Sequence, residues 1–481
     1  MPNKSSSPQI RERSIVKLKD QLGYYRIPIK SIKGSGRSRH TEYIASNFLN
    51  INKNSFEALE ITPTISINND MVSVDLRSNG VIGAVPLFSF ENRKTIGGII
   101  VEPKFGWNDI GPLLSQIGWA ATPQLLSFPM IPGSAKEIPP WVLAGPIVER
   151  IAVLLQNLNR GFSFVQEFKD SPRGKILWQE YISKSYVYGK FNKIPCKFPD
   201  LNQNDVLRSY IKWGLEEVKR SLLGVQGFDE TTINLLTKVD FLLNLIRDVK
   251  PKIPSSNSLN YIIQENSVPS IQFLNGLQAL TWIREERGLA GQREPDGLAW
   301  KMQMSDLFEK WVEAIVTLWA KKFGGAISTS RKDTSRVAIH WENQSLKSLS
   351  NLIPDIVVET SDAVYIFDAK YKKLYEELDD QRWRELSHEL QEEHRHDLHQ
   401  ILAYASLFNK SRIVSILVYP LTGNTYTKLA NRSKLLNRAR ISVYEKTLEL
   451  GIFGVPLSVS HDYSINDISS QLNPFLNPLS Y

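Results

Sequence analysis

The sequence predicts an α+β protein with a β-rich N-terminal domain, a helical middle region and a C-terminal α/β core. Three observations carry this prediction. Residues 60–105 look β-rich, segments 141–158, 203–223 and 230–249 read as helices, and the last third runs helix, paired strands, helix, strand. The boundaries that follow are 1–40 for a basic leader, 41–135 for the β-rich domain, 136–290 for the helical region and 291–481 for the core.

Each element has its own warrant. Ile61 to Ile67 and Met71 to Leu76 alternate as half-buried strands do, with Asn68-Asn69-Asp70 as the turn between them. Val81 to Phe90 and Gly98 to Val101 read as further strands, and Trp107 opens a helix through Ile110, Leu113, Leu114 and Ile117. Beyond a loop dotted with Pro129, Pro132, Pro139 and Pro140, helices are expected over 141–158, 203–223 and 230–249. Met302 to Lys322 reads as an amphipathic helix whose apolar stripe includes Trp311 and Trp319, ended by Gly324-Gly325. Val337 to Trp341, Ile353 to Glu359 and Val364 to Ala369 are strands, the last two joined by a hairpin-like Thr360-Ser361-Asp362. A long helical region over 376–408 precedes a strand from Ile413 to Tyr419, stopped by Pro420.

The chain has 481 residues, 42% of them hydrophobic and 22% charged, which excludes disordered, collagenous and coiled-coil classes. No apolar run has the length of a membrane span, and the N-terminus lacks the apolar stretch of a secretory signal. Cys196 is the single cysteine, so neither a disulfide framework nor a cysteine zinc site fits one chain. A reducing, cytoplasmic setting is expected. The net charge of +8 is local: residues 1–40 hold ten Lys/Arg against two Asp/Glu, and the remainder balances at 48 of each sign. Lys4, Arg11, Arg13, Lys17, Lys19, Arg26, Lys30, Lys33, Arg37 and Arg39 form a leader that either contacts phosphates or is a solvated tail.

The chemistry concentrates in Pro354-Asp355 and Asp368-Ala369-Lys370. Alone, Asp-x-Lys usually means a surface ion pair, and Pro-Asp a turn. Here Asp355 opens one strand, and Asp368 and Lys370 end the next on one face. Two carboxylates at one strand end suit Mg²⁺ or Mn²⁺. Such an ion activates a water toward a phosphodiester, and Lys370 can orient that water or stabilise the charge that develops. Glu309, on the preceding helix, is a third carboxylate candidate. Asp397, Gln400 and Tyr404 share one helix face, with Gln400 able to meet a metal-bound water or DNA and Tyr404 able to pack on the strands.

These residues resemble the PD-(D/E)xK nuclease superfamily and, more closely, the McrC subunits of McrBC modification-dependent restriction systems. The strings Pro354 to Val358, Phe367 to Lys372, Asp397 to Ala405 and Leu307-Phe308-Glu309 carry the likeness. Arg173 to Trp178, Ile194 to Phe198 with Asp205, and Val101-Glu102-Pro103-Lys104 extend it, so that it spans about residues 80–420. Leu207-Arg208 departs from the family's Asn-Arg, and the leader and the 376–394 segment are longer than the family's. The resemblance implies a PD-(D/E)xK nuclease core with Asp355, Asp368 and Glu309 as metal-ligand candidates and Lys370 and Gln400 as catalytic candidates. Tyr404 and His399 would line the DNA cleft. It also implies cleavage of DNA, methylated DNA included, within a hetero-oligomer containing a McrB-like AAA+ GTPase ring, which the N-terminal β-rich part engages and stimulates. This chain has no Gly-x₄-Gly-Lys-Ser/Thr loop, so it is not expected to bind the nucleotide through a P-loop itself, which supports a separate motor. The competing readings are a non-cleaving adaptor that activates the NTPase, and a RecB- or TnsA-like nuclease of repair or transposition.

Two further groups invite assignment. His388, His394, His396 and His399 sit among Glu389, Glu392 and Glu393, which favours a solvated or DNA-facing helix over a zinc site. Lys428, Arg432, Lys434, Arg438 and Arg440 read as a helical face, either following the DNA backbone or solvated.

Overall fold

A computed structural model describes residues 14–21, 23–28, 41–68, 71–134, 139–158, 161–202, 204–224, 230–265, 270–285, 297–330, 334–340, 350–372, 387–443, 446–458 and 463–478. It is a mixed α and β structure with several sheets. The chain divides into two compact units, one of residues 1–139, 229–231 and 294–481, the other of residues 140–228 and 232–293.

The first unit begins within the basic leader. Strands β1 (Ser14–Lys19) and β2 (Tyr24–Pro28) lie where the sequence suggests a phosphate-binding arm or a tail. Val16 and Leu18 are buried while Lys17 and Lys19 face outward, a strand alternation hidden beneath the charge. Arg26 is committed to Asp75, its Nε donating to Oδ1 at 2.8 Å, and Lys17 lies 3.5 Å from Glu102. The leader residues Lys4, Arg11, Arg13, Lys30, Lys33, Arg37 and Arg39, together with Asn69, Asp70 and Trp341, lie outside the described residues. Helices α1 (Thr41–Ile51) and α2 (Lys53–Ala58) precede β3 (Thr62–Asn68), β4 (Met71–Arg77), β5 (Val81–Phe88) and β6 (Thr95–Glu102). β2, β4 and β3 form one sheet; β6 pairs parallel with β1 and antiparallel with β5 in another. Helix α3 (Trp107–Gln116) and the short β7 (Gln124–Leu125) follow.

The second unit is mainly helical. Helix α4 (Trp141–Gln156) leads to β8 (Gly161–Lys169), β9 (Lys175–Ile176), α5 (Trp178–Tyr181) and β10 (Ile194–Asn202). Gly174 (φ +66°) lies so close to Phe198 that a Cβ there would meet the Phe198 Cβ at 2.7 Å. The Arg173 guanidinium stacks 4.2 Å from the Phe198 ring. The Arg-Gly segment and the Ile194 to Phe198 segment therefore pack on each other. Helices α6 (Asp205–Leu223), α7 (Glu230–Leu245), α8 (Ser256–Glu265) and α9 (Ile271–Arg284) complete the unit. Arg208, 7% exposed, bridges Asp205 at 2.9 Å and Asp248 at 2.6 Å.

The chain returns to the first unit at β11 (Trp300–Gln303), which pairs with β5. The sequence places Met302 and Gln303 in a helix. Trp300 and Met302 are instead buried at strand spacing, and helix α10 starts two residues later (Met304–Lys321). Trp311 and Trp319 are fully buried core residues of α10.

The remaining strands are β12 (Ala326–Thr329), β13 (Val337–Ala338), β14 (Asn351–Leu352), β15 (Ile356–Glu359) and β16 (Ala363–Ala369), followed by α11 (His388–Ala405) and β17 (Arg412–Leu421). Helix α12 (Gly423–Asn431), β18 (Leu436–Val443), β19 (Lys446–Pro456) and α13 (Ile465–Ser470) finish the fold. The principal sheet has the order β12-β15-β16-β17-β19-β18. β16, β17 and β19 are mutually parallel in that order, and α11 supplies the crossover that a parallel pair requires. Buried on both faces, β17 reads as the continuous apolar run typical of such a strand.

The basic run 428–440 is not one helical face. α12 ends at Asn431, Ser433 turns the chain at φ 54°, and Arg438 lies in β18. Glu449, 1% exposed, accepts from Arg412 Nε at 2.8 Å and Arg438 Nη2 at 2.7 Å. The same arginines donate to the Pro474, Phe475, Leu476 and Asn477 carbonyls, which fastens the C-terminal segment. Glu449→Ala leaves two largely buried guanidiniums without their anion. It is expected to cost about 3–5 kcal/mol, read as a lower urea midpoint. An unchanged midpoint would show that the pair contributes nothing to the sheet.

Candidate functional site

The strand register assembles the site. Ile356 pairs with Phe367 in the β15–β16 hairpin, so one step further along Asp355 lies beside Asp368. Ala369 N–H donates to Asp355 Oδ2 at 2.9 Å, which fixes the first carboxylate to the backbone next to the second. Asp368 is 1% exposed. Lys370, two residues on and on the same face, brings its Nζ to 2.7 Å from Asp368 Oδ2. That oxygen accepts no well-directed hydrogen bond although it is fully buried. Its near neighbour is the Lys370 ammonium.

Lys370 is held from a second side by α11. Its Nζ donates to Gln400 Oε1 at 2.8 Å, and Gln400 Nε2 donates to the Tyr404 hydroxyl at 2.9 Å. The i, i+4 spacing of Gln400 and Tyr404 makes this possible. Tyr404 is nearly buried, whereas His399 is exposed and stands outside this chain of hydrogen bonds. Glu309 reaches the site from α10, where Ser330 Oγ donates to its Oε1 at 2.8 Å. The structure thus joins Asp355, Asp368, Lys370, Gln400 and Tyr404, sets Glu309 at their edge, and leaves His399 apart.

The electrostatics follow from burial. Burial, the nearby Asp368 and Glu309 push the Asp355 carboxyl up to about 7, against the pull of the Ala369 N–H and of Lys370. Burial also raises Asp368, and Lys370 opposes it. Burial would lower the Lys370 ammonium, but Asp368 outweighs it and holds Lys370 above its usual value. Two carboxylates crowded beside one ammonium are short of positive charge.

Among the described residues, no three His, Cys, Asp or Glu side chains gather closely enough to enclose a metal by themselves. Mg²⁺ seldom needs that many, since it commonly takes one or two carboxylates plus water and phosphate oxygens. The adjoining carboxylates of Asp355 and Asp368 fit such a partial set.

A second polar cluster abuts the first. Lys372 Nζ lies 3.1 and 3.2 Å from the two oxygens of Asp397, and the Tyr419 hydroxyl donates to Asp397 Oδ2 at 3.2 Å. His394 is buried beside it, with Nδ1 3.4 Å from the Tyr419 hydroxyl. Burial lowers its pKa. His394 therefore does not share the solvated or DNA-facing character expected of the helix. In the sequence Lys372 stands out only as the end of the Phe367 to Lys372 string, with no role of its own.

Comparison with known proteins gives one family and distant structures. The description "McrBC 5-methylcytosine restriction system component" matches residues 142–420. No curated protein matches. A solved structure titled as a half-complex from a tetradecameric assembly of Thermococcus gammatolerans McrB AAA+ hexamers with bound McrC aligns at 13% identity, covering 96% of this chain and 100% of that chain, with a TM-score of 0.43. A second, of the Thermococcus gammatolerans McrBC complex, aligns at 11% identity over 63% of this chain and 87% of that chain, with a TM-score of 0.28.

Proposed function

This chain belongs to the McrBC family of 5-methylcytosine restriction system components, and from that premise we propose that it is the DNA-cutting, McrC-like subunit. In this reading residues 291–481 hold a PD-(D/E)xK nuclease core that hydrolyses DNA phosphodiesters with Mg²⁺ or Mn²⁺, methylated DNA included. The observation that supports it is the convergence of Asp355, Asp368 and Lys370 at adjoining strand ends, with Gln400 fixing the lysine. A bound divalent ion would polarise the phosphodiester and lower the pKa of an attacking water. Asp355 and Asp368 would hold that ion; Lys370 would orient the water and offset charge on the phosphoryl oxygens; Gln400 and Tyr404 keep Lys370 in place. Glu309 would complete the acidic edge, and the exposed His399 would meet DNA. An intact acidic pair with its lysine argues against a non-cleaving adaptor, and family membership favours restriction over repair or transposition.

The partner in this reading is a McrB-like AAA+ GTPase ring, and the assembly acts in the cytoplasm as a hetero-oligomer. Among the described residues no helix is long and apolar enough to cross a membrane. Beside the β-rich N-terminal region, a surface of the second unit supports a protein partner. Trp178, Ile182, Tyr186, Val187, Tyr188 and Phe191 are all more than half exposed within a short stretch that also carries Lys184, Lys190 and Lys193. Large apolar side chains gathered in this way mark an interaction site.

The ion can be tested through the Asp355 proton. The folded protein holds this proton up to about pH 7, whereas the ordinary value is 3.8. Between those values the folded state binds more protons than the unfolded one, so the ion-free protein loses stability as pH rises through that window. A divalent ion competes with the proton for the same oxygens. Added Mg²⁺ should raise the melting temperature clearly at pH 8 and little at pH 6, and the pH dependence should vanish in Asp355→Asn. A Mg²⁺ effect that is equal at both pH values would remove Asp355 from the ligand set.

A further inference from the structure

Tyr371 follows Lys370 directly, and its contacts reach a different part of the first unit. Its hydroxyl donates to Asp20 Oδ2 at 2.7 Å. Its carbonyl accepts from Gln21 Nε2 at 2.5 Å. The Lys104 ammonium stands 4.3 Å from the ring centroid, and Phe105 meets the ring edge-on at 6.2 Å. Phe308, the neighbour of Glu309, packs on the same ring at 6.2 Å. Asp20 and Gln21 form the turn after β1, and Lys104 and Phe105 follow β6. Two residues beside the candidate site, Tyr371 and Phe308, thus share one cluster with the end of the β1–β6 pair.

This cluster is built tightly. Asp20 is completely buried and also accepts from the Lys104 backbone N–H. Gln21 Oε1 accepts from Lys104 Nζ. Gln21 has φ 59°, a left-handed backbone rarely adopted by a side chain of its kind. Hydrogen bonds from Asp20 N to Glu102 O at 2.9 Å and from Gln21 N to Asn79 O at 2.8 Å hold it there. A contact needed only for packing would be served as well by apolar side chains. A buried carboxylate, a strained turn and a hydroxyl aimed at one another instead specify position.

We propose that Tyr371 is a positioning residue, through which the Asp20–Gln21 turn and Lys104 hold Lys370 in register with Asp355 and Asp368. Cutting by the C-terminal core then depends on the N-terminal sheet, and the Glu-Pro-Lys segment at 102–104 has its use here rather than in partner contact. The proposal rests on the nuclease reading given above and deepens it.

The test measures single-turnover DNA cleavage over a range of DNA concentrations, with the full chain, its NTPase partner, nucleotide and Mg²⁺. Tyr371→Phe removes only the hydroxyl, and Gln21→Ala removes the hold on the Tyr371 carbonyl together with the Gln21–Lys104 contact. Both should cut about 10- to 100-fold more slowly at saturating DNA. The half-saturating DNA concentration, the partner's stimulated NTPase rate and the melting temperature should be close to wild type. A displaced Lys370 should also alter the pH profile of cleavage, which a general loss of stability would not. Gln21→Ala decides the matter should the buried hydroxyl prove essential for folding. Wild-type cleavage by the folded variants would overturn the proposal while Asp368→Asn remains inactive. Wild-type cleavage by Asp368→Asn as well would overturn the nuclease reading, and this proposal with it.

Discussion

Asp368→Asn is expected to lower DNA cleavage by three or more orders of magnitude while the protein still folds and still binds its partner. The substitution keeps the shape of a fully buried side chain and removes the charge that faces Lys370 at 2.7 Å. It also removes one of the carboxylates proposed to hold the divalent ion. Ligand loss, a misplaced lysine and lost electrostatic preorganisation act on the same step, and effects on the order of 10²–10³ are typical of one such electrostatic contribution alone. Cleavage is read with purified complex on supercoiled plasmid. Stimulation of the partner's NTPase serves as the control for folding and assembly. A variant that cuts normally would take Asp368 out of the catalytic set.

Replacement of Tyr186, Tyr188 and Phe191 together by Ala is expected to have an effect of similar size on a different readout. All three are exposed, with Tyr188 at 70%. Tyr186 and Phe191 meet edge-to-face at 5.6 Å, which holds two of the three rings in a semi-rigid apolar face. Aromatic anchors at the centre of an interface commonly contribute about 2 kcal/mol or more each when truncated. Loss of three should remove co-purification with the AAA+ partner and reduce stimulation of its NTPase to the unstimulated level. Melting temperature should hold or rise, because the wild-type side chains face solvent. Unchanged stimulation would send the search for the partner surface back to the β-rich N-terminal region.

Much of the candidate site was legible because it obeys local rules. Asp355 and Asp368 flank apolar runs at strand period, and their hairpin follows from the short Thr360-Ser361-Asp362 connection. Gln400 and Tyr404 share a face because a helix repeats every 3.6 residues. What stayed hidden was long-range. Nothing near Ser14 signals that β1 will pair in parallel with Gly97 to Glu102, and the surrounding lysines disguise Val16 and Leu18 as part of a tail. Asp20 resembles a stray acid among basic residues until Tyr371 and Lys104 are set against it. Met302 and Gln303 were absorbed into the adjoining helix because Met304 onward is so strongly periodic, although Trp300 and Met302 are buried at strand spacing. Arg438 looked like one of a helical row. Its meaning depends on Glu449, which lies on the neighbouring strand.

The central claim, that this chain is the cutting subunit of a nucleotide-driven restriction complex, meets its most direct test in one plasmid assay. Methylated and unmethylated plasmids are incubated with Mg²⁺ and the chain, alone and with its neighbouring NTPase and either GTP or ATP. Cleavage is expected only when partner and nucleotide are both present, with methylated plasmid favoured. It should disappear with EDTA and with Asp368→Asn. Cutting by the chain alone, at a rate that partner and nucleotide do not change, would contradict the account. So would a fully stimulated NTPase in a mixture that leaves every plasmid intact.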